Sequence, residues 1–189
     1  MPRIHIPDDE MSNPFGYVAS SYAQEMVAAA FKFSGAVYEH TKLSLREMEA
    51  ARMRTAQING CTICMQGRAH RDFNDTVASV DGKFERPMTS RGAIPDEDFY
   101  GAIDKWQTSD LFSDRERIAI EYAERLGERP RSMQGDEAFW SRVKAHFSDD
   151  EIVDMTTAIS SWIALGRFTH TLELDSVCYF DTSAASAAE

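Results

Sequence analysis

The chain has 189 residues, of which 43% are hydrophobic, and this much apolar material lets one domain of ordinary size bury a core. Asp and Glu outnumber Lys and Arg by 31 to 20, which gives a formal net charge of -11. Such an acidic chain repels nucleic-acid phosphates and anionic lipid surfaces. Composition and charge therefore exclude a disordered chain and argue against nucleic acid or a membrane as partner.

We expect no targeting signal at the start of the chain. Residues 1–10 are acidic and interrupted by prolines where a signal peptide needs an apolar run. No uninterrupted apolar stretch approaches the roughly 18 residues of a membrane span. We therefore expect a soluble cytoplasmic protein.

The sequence predicts an all-α chain that forms a single helical domain over residues 1–189. None of its six prolines interrupts a helical pattern, as expected where helices carry the fold. A Ser precedes a Glu by three residues at Ser44, Ser113 and Ser148. Each of these pairs can form a capping box, in which hydroxyl and carboxylate bind free backbone N–H groups, so each marks a helix start.

Apolar spacing places the first helices in chain order. A helix that begins near Asn13 carries one apolar stripe as far as Val37. A second helix runs over about 45–58 and stops at Gly60, because glycine tolerates left-handed backbone angles. The residues that follow predict a new helix, with Cys61 in its first turn.

The second half of the chain begins with a segment that lacks helical spacing. Residues 74–94 contain turn-forming glycines and a proline, and we expect them to form a long, mobile surface loop. Helical spacing returns at 95–106, 114–126, 136–147 and 149–174.

The last predicted helix is apolar over much of its circumference, which is typical of a buried helix or a subunit interface. It carries His170 and Glu173 three residues apart, a spacing at which side chains can touch, and we expect a structural pair. Beyond it, residues 182–189 are small and polar and are expected to fray.

Two of the cysteines, Cys61 and Cys64, stand two residues apart at a predicted helix start. Thiols at this spacing can form an intramolecular disulfide, and free N–H groups at a helix N-terminus stabilise a thiolate. The pair favours peroxide reduction or dithiol exchange, with a metal site or inert packing as alternatives. Zinc needs four ligands and His70 is predicted to face away from the thiols, so we expect no metal. We also expect no organic cofactor, since sulfur can hold the electrons. Cys178 is expected to be a buried or idle thiol.

Residues 43–49 (LSLREME) and 57–64 (QINGCTIC) resemble the core motif of the carboxymuconolactone decarboxylase family, in its alkylhydroperoxidase D-like branch. The segments that contain Ser113 and Ser148 are similar to the second half of that family, so the resemblance covers about residues 40–175. It implies an all-helical bundle of the alkylhydroperoxidase D-like type. It also implies assembly through the helices into homo-oligomers, such as dimers, trimers or hexamers.

The same resemblance implies roles for particular residues. Cys64 matches the peroxide-reactive thiol, Cys61 its resolving partner and Glu49 a carboxylate that relays protons. Arg68 stands where the family has a His; it can favour the Cys64 thiolate by charge, but it stays protonated and shuttles no proton. Arginines near Glu49 leave a second interpretation of this residue, as an ion-paired surface or interface carboxylate.

The sequence therefore predicts a thiol-dependent peroxidase with a hydroperoxide as substrate and an external dithiol as reductant. In this scheme the Cys64 thiolate attacks the peroxide, the sulfenic acid condenses with Cys61, and the reductant restores both thiols. Two alternatives stay open. One is a lactone decarboxylase, which needs no dithiol, and the other is a non-catalytic, redox-sensing oligomeric module.

Overall fold

The computed structural model describes residues 1–73 and 87–175. Over these residues every regular element is helical and no strand is present, which confirms the predicted all-α fold class. The α-helices are α1 (Pro14–Ser21), α2 (Gln24–His40), α3 (Leu45–Asn59), α4 (Thr62–Gln66), α5 (Glu97–Gly101), α6 (Asp114–Glu128), α7 (Glu137–His146) and α8 (Asp149–Thr171). None of the helices in these ranges combines the length and the hydropathy that a membrane crossing requires.

The three predicted capping boxes are present, at the starts of α3, α6 and α8. At α3 the Ser44 N–H donates to the Glu47 carboxylate at 2.9 Å, and the Glu47 N–H donates to the Ser44 hydroxyl at 3.3 Å. Both partners of each box lie within one helical turn, so the signal depends on local sequence alone. These helices consequently begin where the sequence predicts.

The predicted single first helix is wrong, because the chain breaks between α1 and α2. Tyr22 is extended, and Ala23 adopts a left-handed conformation with φ 45°. The Tyr22 hydroxyl donates to the His5 carbonyl at 2.9 Å, which ties the break to the N-terminal segment. The predicted apolar stripe is split as a result, and Met26 and Phe33 on α2 are exposed.

Several predicted segments in the second half differ in length or fall outside the description. The helix predicted over 95–106 is instead the short α5 followed by a 3-10 turn, Ile103–Lys105, and α8 ends at Thr171 rather than at 174. Within the loop predicted over 74–94, Met88–Arg91 forms a 3-10 turn. Residues 74–86, the predicted frayed tail and Cys178 lie outside the described residues.

Helix α3 occupies the centre of the fold and packs mainly against α6 and α8. Its buried apolar side chains point in several directions and enter two clusters, one shared with α6 and α8 and one shared with α5. At its C-terminal end, the Asn59 side chain donates to the Trp162 carbonyl of α8 at 2.9 Å. The end of α3 is therefore held firmly, and it positions the residues that follow.

Candidate active site

Cys61 and Cys64 form a disulfide, with their Cα atoms 5.3 Å apart. Cys61 is the N-cap residue of α4, and its sulfur accepts a hydrogen bond from the Cys64 N–H at 3.4 Å. Cys61 is fully buried, whereas Cys64 is partly exposed. Of the two, Cys64 is therefore the residue that a substrate from solvent can approach.

A tight turn between α3 and α4 presents the two cysteines. Gly60 ends α3 with φ 68°, a left-handed angle that is unfavourable for residues with a side chain. The Cys61 N–H donates to the Ala56 carbonyl at 3.1 Å, and the Met65 N–H donates to the Cys61 carbonyl at 3.0 Å. Cys61 thus takes part in the hydrogen bonding of both helices, and the helix stop predicted at Gly60 is confirmed.

A buried ion pair on α3 holds the segment that follows the disulfide. Arg52 donates from Nε and Nη2 to the two carboxylate oxygens of Glu49 at 2.8 and 2.7 Å, and neither side chain is more than 2% exposed. The same guanidinium donates to the Cys64 carbonyl at 2.6 Å and to the Gly67 carbonyl at 2.7 Å. Glu49 also accepts from the Ala69 N–H at 3.3 Å. The pair therefore fixes the backbone on the C-terminal side of Cys64 against α3.

Two tyrosines lie close to the ion pair. Burial raises the pKa of Tyr100, and the nearby charge of Glu49 raises it further. Burial also raises the pKa of Tyr38. Burial alone would lower the pKa of Arg52, but the charge of Glu49 and its hydrogen bonds outweigh this effect and raise it. Arg52 and both phenols therefore keep their protons at neutral pH.

The location of Glu49 differs from the surface or interface position that the sequence analysis considered. Glu49 is fully buried, and its partner Arg52 stands at i, i+3 on the same helix. This spacing is the sequence signal for the pair, whereas its burial follows from the packing of α3 between other helices. The role of Glu49 as a proton relay stays a prediction.

Arg68, which stands where the resembling family has a His, pairs with Glu97 of α5. It donates from Nε and Nη2 to the two Glu97 oxygens at 3.0 and 2.6 Å. Its Nη1 donates to the Met65 carbonyl at 2.8 Å, and its guanidinium carbon lies 4.0 Å from the centre of the Tyr100 ring. The hydrogen bonds from Arg68 lower the pKa of Glu97. Arg68 therefore stabilises the turn after α4 by hydrogen bonds, and its positive charge is paired with the exposed carboxylate of Glu97.

The end of α8 reaches the residues on both sides of Cys61. The His170 ring lies against Gly60, since a Cβ added to that glycine would lie 3.1 Å from His170 Nε2. His170 Nδ1 is 3.1 Å from Asp175 Oδ2, and this oxygen accepts from the Thr62 N–H at 3.0 Å. His170 thus pairs with Asp175 rather than with Glu173, whose carboxylate accepts from the N-terminal ammonium group at 3.1 Å.

Sequence reasoning missed Asp175, which lies 113 residues from Thr62, and no local pattern signals such a contact. The other histidine near the site is His70, in the π-helical turn Ala69–Phe73. Burial lowers the pKa of His70, while the charge of Glu49 opposes that shift. Within residues 1–73 and 87–175, no group of three or more His, Cys, Asp or Glu side chains is arranged to hold a metal ion.

The chain is similar in sequence to several proteins, each described as an uncharacterized protein. YnjA of Escherichia coli K12 is 34% identical over 73 residues, which are 39% of each chain. Rv2313c of Mycobacterium tuberculosis is 28% identical over 142 residues, covering 75% of this chain and 43% of that protein. YdfG of Bacillus subtilis is 26% identical over 126 residues, covering 63% of this chain and 73% of that protein. The chain thus spans less than half the length of the first two relatives, and no family model matches it.

A solved structure shows the class of fold. It is the crystal structure of a protein of unknown function from Agrobacterium tumefaciens, provisionally assigned as the antioxidant defence protein AhpD. The two chains superpose with a TM-score of 0.62 at 19% identity, over 96% of this chain and 100% of the other. The chain therefore has an AhpD-like, all-α fold, as the resemblance to the alkylhydroperoxidase D-like branch implied.

Proposed function

We propose that the chain is a thiol-dependent oxidoreductase that reduces hydroperoxides, with Cys61 and Cys64 as its reactive residues. The observation that carries this proposal is their disulfide, which joins a buried cysteine to a partly exposed one. A dithiol that closes in this way gives up two electrons, which is what the reduction of one peroxide requires. The AhpD-like fold supports the same function, since the A. tumefaciens protein is provisionally assigned to antioxidant defence.

The reaction begins at Cys64 because it is the more accessible of the two cysteines. Its thiolate attacks one oxygen of the hydroperoxide, the O–O bond breaks, and the alcohol leaves after it gains a proton. The sulfenic acid on Cys64 then reacts with the Cys61 thiol, which forms the disulfide and releases water. An external dithiol reduces the disulfide by exchange and completes the cycle. Sulfur holds the electrons throughout, so the scheme uses no organic cofactor.

The surrounding residues position the dithiol in this proposal. Arg52 binds both Glu49 and the Cys64 carbonyl, so Glu49 acts on Cys64 through Arg52. A proton relay through Glu49 would have to pass through a carboxylate whose two oxygens are already bound. Arg68 supplies a positive charge close to α4 that favours the Cys64 thiolate, although Glu97 shares that charge.

Assembly and location complete the proposal. Exposed Met26 and Phe33 on α2 supply apolar surface that a homo-oligomer would cover. We place the reaction in the cytoplasm, because dithiol systems there keep such cysteines reduced between turnovers.

The first prediction tests the function directly. One equivalent of hydrogen peroxide or an organic hydroperoxide, added to the fully reduced protein, is expected to join Cys61 and Cys64 and to leave Cys178 reduced. Thiol quantification and peptide mapping measure the product, and added dithiol is expected to restore activity over many cycles. A lactone decarboxylase would not consume peroxide, and a redox sensor would oxidise once without turnover. Oxidation confined to Cys178 would contradict the proposal.

The second prediction concerns Arg68. Arg68→Met removes a positive charge near Cys64 and is expected to slow peroxide consumption by up to about tenfold, the effect of one pKa unit on a thiolate fraction. Arg68→His is expected to raise the rate, because an imidazole transfers protons near neutral pH. Arg71→Met is the matched control, since Arg71 pairs with its neighbour Asp72. Equal rates for Arg68→Met, Arg68→His and the unaltered protein would remove Arg68 from the mechanism.

A further inference from the structure

We infer that His170 is the proton-transfer group of the dithiol site and that Asp175 positions it, an inference that rests on the proposed function. Both residues lie at or just after the C-terminal end of α8, outside the motif that resembles the alkylhydroperoxidase D-like branch. They contact the residues directly before and after Cys61, which are Gly60 and Thr62. The end of α8 therefore delivers an imidazole to a site whose own motif has Arg68 in place of a His.

The geometry orients the imidazole. Asp175 is buried, and its Oδ2 atom lies 3.1 Å from His170 Nδ1. The carboxylate therefore accepts a hydrogen bond from Nδ1–H, and Nε2 is left for proton exchange. Nε2 is the atom that faces Gly60. The His170 side chain is 53% exposed, so solvent and substrate can reach the ring. Asp175 is itself fixed, since it also accepts from the Thr62 N–H and hydroxyl at 3.0 and 3.3 Å.

The glycine before Cys61 is needed for this contact as well as for the turn. A Cβ at Gly60 would lie 3.1 to 3.4 Å from three atoms of the His170 ring, closer than ordinary van der Waals contact. A side chain at this position would push the ring away from the turn that carries Cys61. The left-handed angle of Gly60 and the close approach of the imidazole therefore both require a glycine.

Among the described residues, the carboxylate in contact with the His170 ring is that of Asp175. Burial alone would raise the pKa of Asp175, but hydrogen bonds from Thr62 and His170 outweigh it and lower that pKa. Asp175 is therefore an anion at neutral pH. The neighbouring Glu173 is paired with Arg3 and the N-terminal ammonium group, so its charge is compensated.

The other candidates for proton transfer fit less well. Arg68 holds its protons and is paired with Glu97. Glu49 has both oxygens bound by Arg52. His70 lies near the buried Glu49–Arg52 pair, and the charge of Glu49 affects its pKa. His170 combines an exposed ring, an orienting carboxylate and direct contact with the turn that carries Cys61.

The imidazole closes the proton balance of both steps. As the Cys64 thiolate attacks the hydroperoxide, the imidazolium of His170 gives its Nε2 proton to the leaving alkoxide, directly or through one water, and an alcohol is released. The neutral imidazole then takes the proton of the Cys61 thiol. That thiolate attacks the sulfenic sulfur of Cys64, and the departing hydroxide regains the proton as water. One hydroperoxide is reduced to alcohol and water, and the dithiol is oxidised to the disulfide.

His170→Asn tests this inference, because the Asn amide can still donate to Asp175 but cannot carry a proton. Stopped-flow consumption of hydrogen peroxide and cumene hydroperoxide by the reduced variant is expected to fall by about a hundredfold or more. The dependence of the rate on pH near neutrality is expected to flatten, and added imidazole is expected to restore part of the rate. Asp175→Asn keeps an acceptor for Thr62 and is expected to cause a smaller loss. His70→Asn is the matched control and is expected to react at the unaltered rate.

The outcomes separate this inference from the proposed function. A wild-type protein no faster than its Cys64→Ser variant would overturn both. An active wild type with an equally active His170→Asn variant would overturn the inference alone, and so would a loss seen in His70→Asn instead. A slow His170→Asn variant whose pH profile is unchanged and which imidazole does not rescue would make His170 a structural residue, which also overturns it.

Discussion

Hydroperoxide consumption is expected to fall by about a thousandfold or more when Cys64 is replaced with Ser, because the loss of a covalent nucleophile removes the reaction path itself. The hydroxyl of serine is close in size to the thiol but is not ionised at neutral pH. Arg52 binds the backbone carbonyl of residue 64 rather than its side chain, so the positioning of α4 is expected to survive the substitution. Stopped-flow measurement of the reduced variant with hydrogen peroxide gives the rate, and circular dichroism checks the helical content.

Cys61→Ser is expected to separate the two thiol roles. Without a resolving thiol, the variant is expected to reduce one equivalent of peroxide and then stop, with a sulfenic acid on Cys64. A dimedone-type reagent followed by mass spectrometry detects that species. Because Cys61 is buried and Cys64 is partly exposed, we expect Cys64 to react first. The reverse result would be a Cys64→Ser variant that forms a sulfenic acid on Cys61 at the full rate of the unaltered protein. It would show that Cys61 is the peroxide-reactive thiol and Cys64 the resolving thiol.

The elements of the fold that the sequence predicts well are those with local signals. Ser44 and Glu47 lie in one turn and form their capping box, and Gly60 ends α3 through its own backbone angle. The start of α4 at the cysteines follows from that stop. In each case the interaction joins residues a few positions apart, so tertiary packing does not have to be known.

Packing decides the features that the sequence does not predict. The break at Ala23 lies beside a hydrogen bond from Tyr22 to His5, 17 residues away. Helical periodicity in the sequence continues through the break and gives no sign of it. Asp175 meets Thr62 only after α8 has packed along α3. The i, i+3 spacing of Glu49 and Arg52 indicates a pair, but an identical spacing on an exposed helix gives a surface salt bridge. Burial of the pair is a property of the assembled helices.

That burial makes the Glu49–Arg52 pair a sensitive point for stability. Arg52→Met leaves the Glu49 carboxylate buried without its partner charge. Glu49→Gln likewise leaves the Arg52 guanidinium buried without a partner charge. Removal of one partner of a buried ion pair typically costs about 3–5 kcal/mol. Arg54→Met is the matched control on α3, since its pair with Glu124 is less deeply buried and its loss is expected to cost less stability. Urea unfolding of each variant gives the free energy of unfolding.

The double variant Glu49→Gln with Arg52→Met distinguishes a structural pair from one that also positions the dithiol. With both charges removed, much of the lost stability is expected to return, because no unpaired charge stays buried. The Cys64 and Gly67 carbonyls nevertheless lose the guanidinium that binds them. We therefore expect disulfide formation to stay slow in the double variant even where stability recovers. If stability and the rate of disulfide formation both recovered, Arg52 would affect the dithiol only by stabilising the fold. If the two single losses of stability were additive, the two charges would not stabilise each other.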